Sequence, residues 1–348
     1  MQPPSSSEEL PVDLQALEAW MDGRALGHGP LDAAELLGGG TQNILLRFRR
    51  AERTYVLRRP PLHKRKNSDE TMRREARVLD ALAGSDVPHP ALIAAEADDG
   101  VLGASFYLME PVDGFNATVE IPDLHRSSPD VGHRMGLALA EGIATLACID
   151  HTAVGLDGFG RVEGYLDRQV SRWWSQLESY SELAGYHGPD IPGLDQVAAW
   201  LEANQPTDFT PGIMHGDYHL ANVMYRRDSP ELAAIVDWEL CTVGDPLVDL
   251  GVLLATWAEG DDTTLANNPS IPGLPTAAEL VSHYGERSDR DISAVAWYTA
   301  LACYKLGIIL EGTHARASAG QAPKATGDML HATTLALFAR ATRVIANV

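Results

Sequence analysis

Apolar positions recur along this chain at two periods, and the periods mark out its elements. Leu14, Leu17, Trp20 and Met21 fall at helical spacing and predict a leading helix over residues 12–27. Ile44 to Phe48 and Thr54 to Arg59 read instead as strands; the second turns Val56 and Arg58 to one face and Tyr55 and Leu57 to the other. Ahead of the first strand, Leu36-Leu37-Gly38-Gly39-Gly40-Thr41-Gln42-Asn43 reads as a glycine-rich turn between two strands, where the backbone can approach phosphates closely. Helical spacing returns over Thr71 to Leu82, with Met72, Ala76, Leu79 and Leu82 on one stripe and Glu75 beside it. Phe106 to Met109 is strand-like, and Pro111 and Gly114 then interrupt the pattern.

Beyond that break the chain reads as mostly helical. Gly136 to Ile149 is apolar and alanine-rich, as a buried helix would be. Arg161 to Tyr180 carries Arg168, Arg172, Trp173 and Trp174 on helical turns, a set that could line an acceptor pocket or simply stack within the helices. Two short apolar runs, 222–225 and 232–236, flank Arg226-Arg227-Asp228-Ser229-Pro230 and predict a β-hairpin. The expected class is therefore α+β and bilobal. It comprises a flexible tail over 1–11, a small β-rich N-lobe over 12–110 and a large helical C-lobe over 111–348.

Charge narrows the partners. The net charge is −21. It is uneven: residues 1–110 carry 13 Lys+Arg against 17 Asp+Glu, and residues 111–348 carry 14 against 31. A nucleic-acid partner needs a basic face and is excluded on this count. The acidic C-lobe could attract a cationic substrate, or simply keep the protein soluble. Arg58 to Lys66 is the one basic cluster, readable as a solvated loop or as a landing site for an anionic substrate tail such as the phosphates of coenzyme A. Cys148, Cys241 and Cys303 are far apart and form neither a disulfide framework nor a metal spacing. No apolar stretch approaches the ~18 residues of a membrane span, and the polar, acidic first residues are no secretory signal, so a cytoplasmic location is expected.

The densest chemistry lies in His215-Gly216-Asp217-Tyr218-His219-Leu220-Ala221-Asn222 and in Ile235-Val236-Asp237-Trp238-Glu239. Asp217 and Asn222 would share a short loop, and the predicted hairpin would return Asp237 beside it. Transfer of a γ-phosphoryl group demands positioning and charge neutralisation more than covalent work. Asp217 would accept or orient the proton of an attacking hydroxyl, while Asn222 and Asp237 are hard oxygen ligands suited to Mg²⁺. His219 has no orientation that can be inferred, and Glu239 could either reach the metal or start a helix.

This pattern resembles the aminoglycoside phosphotransferase-like kinases, a branch of the protein-kinase-like fold that phosphorylates small molecules. The segment Asp237-Trp238-Glu239-Leu240-Cys241-Thr242-Val243-Gly244-Asp245-Pro246-Leu247-Val248-Asp249-Leu250 is similar to the subfamily that includes kinase domains fused to some acyl-CoA dehydrogenases. Arg168-Gln169 with Trp173, and the run Tyr304 to Gly312, extend the likeness over nearly the whole chain. The resemblance implies that ATP and Mg²⁺ bind between two lobes and that His215 braces the catalytic loop. It further implies that Asp245 and Asp249 stabilise the surrounding fold, and that Glu110 and Val112 form the hinge that bonds adenine, with Met109 behind them. Kinase-like folds place a lysine where Arg58 stands, so a guanidinium fork would hold the phosphates together with the Gly38, Gly39, Gly40 and Thr41 loop. Glu75 would orient Arg58, or form an ordinary surface pair with a neighbouring arginine. The implied activity is an ATP-dependent O-phosphotransferase with a small-molecule hydroxyl acceptor, an aminoglycoside or a hydroxyacyl thioester of coenzyme A. A nucleotide-binding pseudokinase is the alternative from another class. Arg58 motivates it, and the joint presence of Asp217, Asn222 and Asp237 opposes it.

Overall fold

The alternation read over Thr54 to Arg59 becomes the centre of a five-stranded antiparallel sheet. The computed structural model describes residues 10–38, 43–258 and 271–348. They form two compact units, one running through Ser85 and resuming over His89–Asp113, the other comprising Asp86–Pro88 and Gly114–Val348.

In the first unit, helix α1 (Leu14–Gly23) is capped by Asp13, whose carboxylate accepts from the Gln15 and Ala16 N–H groups. Strands β1 (Leu31–Leu36), β2 (Ile44–Arg50) and β3 (Arg53–Arg59) follow, then α2 (Ser68–Ala81), β4 (Leu92–Glu96) and β5 (Phe106–Met109). The sheet order is β1-β2-β3-β5-β4. Leu46, Phe48, Tyr55, Leu57, Phe106 and Leu108 point to one face and pack with Leu17, Trp20 and Met21 of α1 into a single core. Each such side chain contributes about 1.5–3 kcal/mol by burial. The helix is also tied to the sheet edge by the Trp20 indole N–H, which donates to Glu96 at 2.6 Å. Val56 and Arg58 leave by the opposite face, where α2 presents Glu75.

The second unit begins with α3 (Asp123–Ser127) and α4 (Pro129–Ala147). Helix α4 starts earlier than the apolar run alone suggested, because Ser128 caps it and Pro129 occupies its first turn. The helix expected from Arg161 is shorter: α5 spans only Gln169–Ser179. Residues 161–168 turn instead; Gly164 takes a left-handed φ of 58°, and the Arg168 guanidinium closes the turn on the carbonyls of Arg161 and Glu163. Next come α6 (Leu194–Ala203), β6 (Gly212–Met214), β7 (Val223–Tyr225), β8 (Leu232–Ile235) and β9 (Thr242–Gly244). Strands β7 and β8 form the expected hairpin, with Val223 opposite Ile235. The unit closes with α7 (Leu247–Thr256), α8 (Ala277–Gly285), α9 (Val295–Ser318) and α10 (Lys324–Ala346). Buried Arg340 of α10 donates to the carbonyls of Leu254, Ala255 and Trp257, satisfying the C-terminal end of α7.

Candidate active site

Strand β6 delivers the chain into His215-Gly216-Asp217, and β9, paired antiparallel to it, anchors the other side of the loop. Gly216 is required here. Its φ is 87°, and a Cβ would come within 2.4 Å of the Leu240 carbonyl oxygen. A buried carboxylate holds the turn from beneath. Asp249, on α7, accepts from the His215 N–H at 2.5 Å and from the Gly216 N–H at 2.8 Å. Burial pushes the Asp249 carboxyl up to about 7, against those two donors.

His215 is fully buried. Its Nδ1 accepts from the Asp217 N–H at 3.3 Å, which leaves Nε2–H to donate to the Val236 carbonyl at 2.9 Å. The ring therefore bridges the two segments that carry Asp217 and Asp237, and burial holds it below the usual histidine range, as this neutral tautomer requires. Tyr218 fixes the loop to α4 by donating to Leu139 O at 2.9 Å.

A short helical turn, Leu220–Asn222, brings Asn222 back onto Asp217. The Asn222 amide donates to the Asp217 carbonyl at 2.9 Å and to its carboxylate at 3.2 Å, so Oδ1 remains as the outward acceptor. His219 caps the turn by accepting from the Ala221 N–H at Nδ1, and that orientation sets Nε2 3.5 Å from the Asp217 carboxylate. Burial raises the Asp217 carboxyl, but the His219 contact and the Lys305 charge outweigh it, and the net direction is downward. Asp217 is thus held ionised.

Asp237 follows the hairpin at φ 67° and ψ 62°, a left-handed conformation that a non-glycine residue holds only under constraint from its surroundings. The Trp238 ring, 5.0 Å from His215, and its N–H bond to Ile235 O supply that constraint. Asp237 is half-buried, and its carboxylate and Asn222 Oδ1 are hard oxygens, the donor type Mg²⁺ takes in preference to a soft ion. Glu239 lies in the first turn of the short helix Trp238–Leu240. Asp245 accepts from the Tyr298 hydroxyl at 2.5 Å and from the Leu247 N–H at 3.1 Å, a structural duty like that of Asp249.

Two contributors were not singled out from the sequence. Lys305, on α9, donates to Gly216 O at 2.9 Å and lies 5.8 Å from the centre of the Trp173 ring, which joins Trp173 to the catalytic loop. Burial draws the Lys305 ammonium below the usual lysine range, over the opposing pull of Asp217 and Asp249. A solitary lysine inside an apolar helical run was the available signal. Asn116 donates to Ala221 O at 2.6 Å and steadies the loop from the chain entering the unit; one asparagine in a long segment carried no signal.

In the first unit Arg58 and Glu75 meet inside the protein. Arg58 Nε lies 2.9 Å from Glu75 Oε2, and the Tyr107 hydroxyl donates to the same oxygen at 2.8 Å. Glu75 is 1% exposed, so it is not the surface carboxylate that an ordinary i,i+4 pair with a neighbouring arginine of α2 would need. Glu110 accepts from Arg53 through its carboxylate, and its N–H donates to Ala91 O at 2.9 Å. Pro111 lacks an N–H and the Glu110 N–H is taken, so the Val112 N–H is the donor this stretch could offer a ligand, beside the carbonyls. Gly38 is exposed in a bend, while Gly39, Gly40 and Thr41 lie outside the described residues. The basic segment is partly engaged within the protein: Arg59 is buried against Pro60 O and Pro11 O, and Lys64 pairs with Asp69 at 2.6 Å.

A loop of this construction, with the Asp237 segment returned to it by a hairpin, is the arrangement of a kinase-type phosphotransferase of protein-kinase-like fold. The chain belongs to the phosphotransferase enzyme family (APH), whose profile matches residues 33–270. A Ralstonia eutropha protein classed as an aminoglycoside phosphotransferase shares the architecture with a TM-score of 0.79 and 30% identity over 95% of this chain and 99% of its own. The GDP complex of aminoglycoside 2'-phosphotransferase-IIIa aligns with a TM-score of 0.62 over 97% of this chain and 100% of its own, at 16% identity, a likeness of fold alone. Acyl-CoA dehydrogenase family member 11 of Rattus norvegicus is 31% identical over 87% of this chain and 39% of its own length. Family member 10 of Mus musculus is 28% identical over 92% of this chain and 30% of its own. The chain thus spans well under half of these curated relatives. No helix among the described residues is long and apolar enough to cross a membrane.

Proposed function

We propose that this enzyme transfers the γ-phosphoryl group of ATP to a hydroxyl of a small molecule, with Asp217 as base. The observation that carries the reading is the Asp217 carboxylate, held ionised by His219 and by the reach of Lys305, with Asn222 folded against it. In the step, the acceptor oxygen bonds the γ-phosphorus and the bond from that phosphorus to its bridging oxygen breaks. The hydroxyl proton passes to Asp217, and ADP leaves. Asn222 Oδ1 and Asp237 would hold Mg²⁺, which neutralises charge on the phosphate oxygens when bound. Arg58, set by Glu75, would grip the phosphates with the Gly38 to Thr41 loop, and the Glu110 carbonyl with the Val112 N–H would bond adenine. His215 braces the loop and takes no proton, because both its nitrogens are engaged.

For the acceptor, the relatives named as acyl-CoA dehydrogenases favour a hydroxyacyl thioester of coenzyme A over an aminoglycoside. Lys64, Arg65 and Lys66 are exposed cations of the basic segment, the kind of group that suits the coenzyme's phosphates. A cytoplasmic setting accords with this substrate. The test is incubation with Mg·ATP and two pools, aminoglycosides and hydroxyacyl-CoA thioesters, followed by mass spectrometry for products heavier by one phosphoryl group. A phosphorylated thioester, lost in Asp217→Ala, supports the reading; a phosphorylated aminoglycoside replaces the acceptor; turnover unchanged in Asp217→Ala removes the proposed base.

A further inference from the structure

Beyond Lys305 toward the C-terminal end of α9, three side chains converge that the proposed phosphotransfer machinery does not use. Glu311 and His314 are three residues apart on α9 and share a face, and His331 meets them from α10. One ligand atom from each lies within 4.8 Å of the other two. Glu311 is 0% exposed and both its oxygens are engaged: Oε1 accepts from the Tyr186 hydroxyl at 2.9 Å, and Oε2 lies 2.7 Å from His331 Nδ1. The His314 and His331 rings stack at 4.4 Å, and His314 Nδ1 is buried with no hydrogen-bond partner among the described residues.

A hydrogen-bonded Glu–His pair explains Glu311 and His331 but not His314. A buried ring nitrogen left without a partner is destabilising. We infer that Glu311, His314 and His331 form a binding site for a divalent transition metal of the zinc class. Two imidazoles and one carboxylate match a zinc donor set that keeps a fourth position for water, and they suit zinc, cobalt or nickel far better than magnesium or calcium. Bonds of about 2.0–2.2 Å require the three atoms to draw in to roughly 3.4 Å of one another, a small side-chain adjustment. Tyr186 would orient the ligating carboxylate from outside, as the supporting hydrogen bonds of metal sites do. The backbone is prepared for the approach. Gly327, one turn before His331, lets α10 come so near that a Cβ there would sit 2.4 Å from Ala317 Cβ and 3.3 Å from His314 Cα. His331, with its side chain 23% exposed, leaves a path for the ion.

The experiment uses the full chain after chelator treatment and dialysis. Calorimetric titration with Zn²⁺, and separately with Mg²⁺, gives affinity and stoichiometry, and Co²⁺ substitution reports a tetrahedral nitrogen–oxygen site by its visible absorption. We expect one Zn²⁺ per chain, a rise in melting temperature on binding, and at least about tenfold weaker binding in His314→Ala and His331→Gln. Tyr186→Phe should weaken binding about 10–100-fold. Asp237→Ala should leave the Zn²⁺ isotherm unchanged, which separates this site from the catalytic loop. His331 is only half-buried, and glutamine keeps a polar partner for Glu311, so His331→Gln is expected to fold and decides the matter if His314→Ala does not. Absence of Zn²⁺ binding, or equal affinity in wild type and His331→Gln, overturns the site.

Discussion

In the proposed reading Arg58 would do with a planar fork what a lysine does with a point charge, and this sets what substitution should do. Lysine at 58 would keep the charge but could not hold Glu75 and a phosphate with the same geometry. Arg58→Lys should raise the KM for ATP about tenfold with a smaller change in kcat. Lys305→Met removes the charged donor to Gly216 O and should lower kcat about ten- to a hundredfold, while Lys305→Arg recovers part of it. If kcat follows only the melting temperature in this series, the residue is merely structural. Asp249 gives a pH test. Its folded carboxyl, near 7, stands above the unfolded 3.8, so its protonated form favours folding. The stability of wild type relative to Asp249→Asn should fall as pH rises from about 4 to 7, by at most about 1.4 kcal/mol per unit, and then level off. Denaturant titrations of both proteins across that range check it. Asp217, Asn222 and Asp237 were readable in the sequence because one loop and one hairpin carry all three. Lys305 was not assigned a role, because its partner, Gly216, lies on a segment remote in sequence and the fold alone joins them.

Elements were legible in proportion to their length and regularity. Helices α1, α2 and α4 and strands β2, β3 and β5 follow from periodicity, and the β7–β8 hairpin from its turn residues. Strands β6 and β9 have three residues each, too few to show a period, yet they anchor the loop that carries Asp217 and Asn222. The first eight positions of the expected Arg161 helix turn instead, with the Arg168 guanidinium taking the Arg161 and Glu163 carbonyls that helical bonding would have used. The buried helix pair α7 and α9 carries a test of its own. A Cβ at Gly251 would lie 2.4 Å from the Tyr298 carbonyl oxygen. Gly251→Ala should therefore destabilise by about 1–3 kcal/mol despite alanine's better helix propensity, read as a lower melting temperature. Because α7 carries Asp249 and α9 carries Lys305, kcat should fall in the same variant below its unfolding temperature.

Across the whole molecule, charge is the property most able to discriminate acceptors. With residues 111–348 strongly acidic, added salt should weaken capture of a cationic acceptor and favour an anionic one. The sign of the change in kcat/KM between low and high ionic strength therefore reports the acceptor's charge without knowledge of its identity. The same composition has a practical consequence. The chain contains four lysines, Lys64, Lys66, Lys305 and Lys324, and the cations of β3 are Arg53, Arg58 and Arg59. Guanidinium stays protonated and is no nucleophile at neutral pH. Acyl-phosphate nucleotide reporters, which tag an ε-amino group beside bound nucleotide, would find no amine on this strand to acylate. Any labelling of this enzyme by that chemistry would have to fall on an amine outside β3, such as Lys305 against the Gly216 carbonyl.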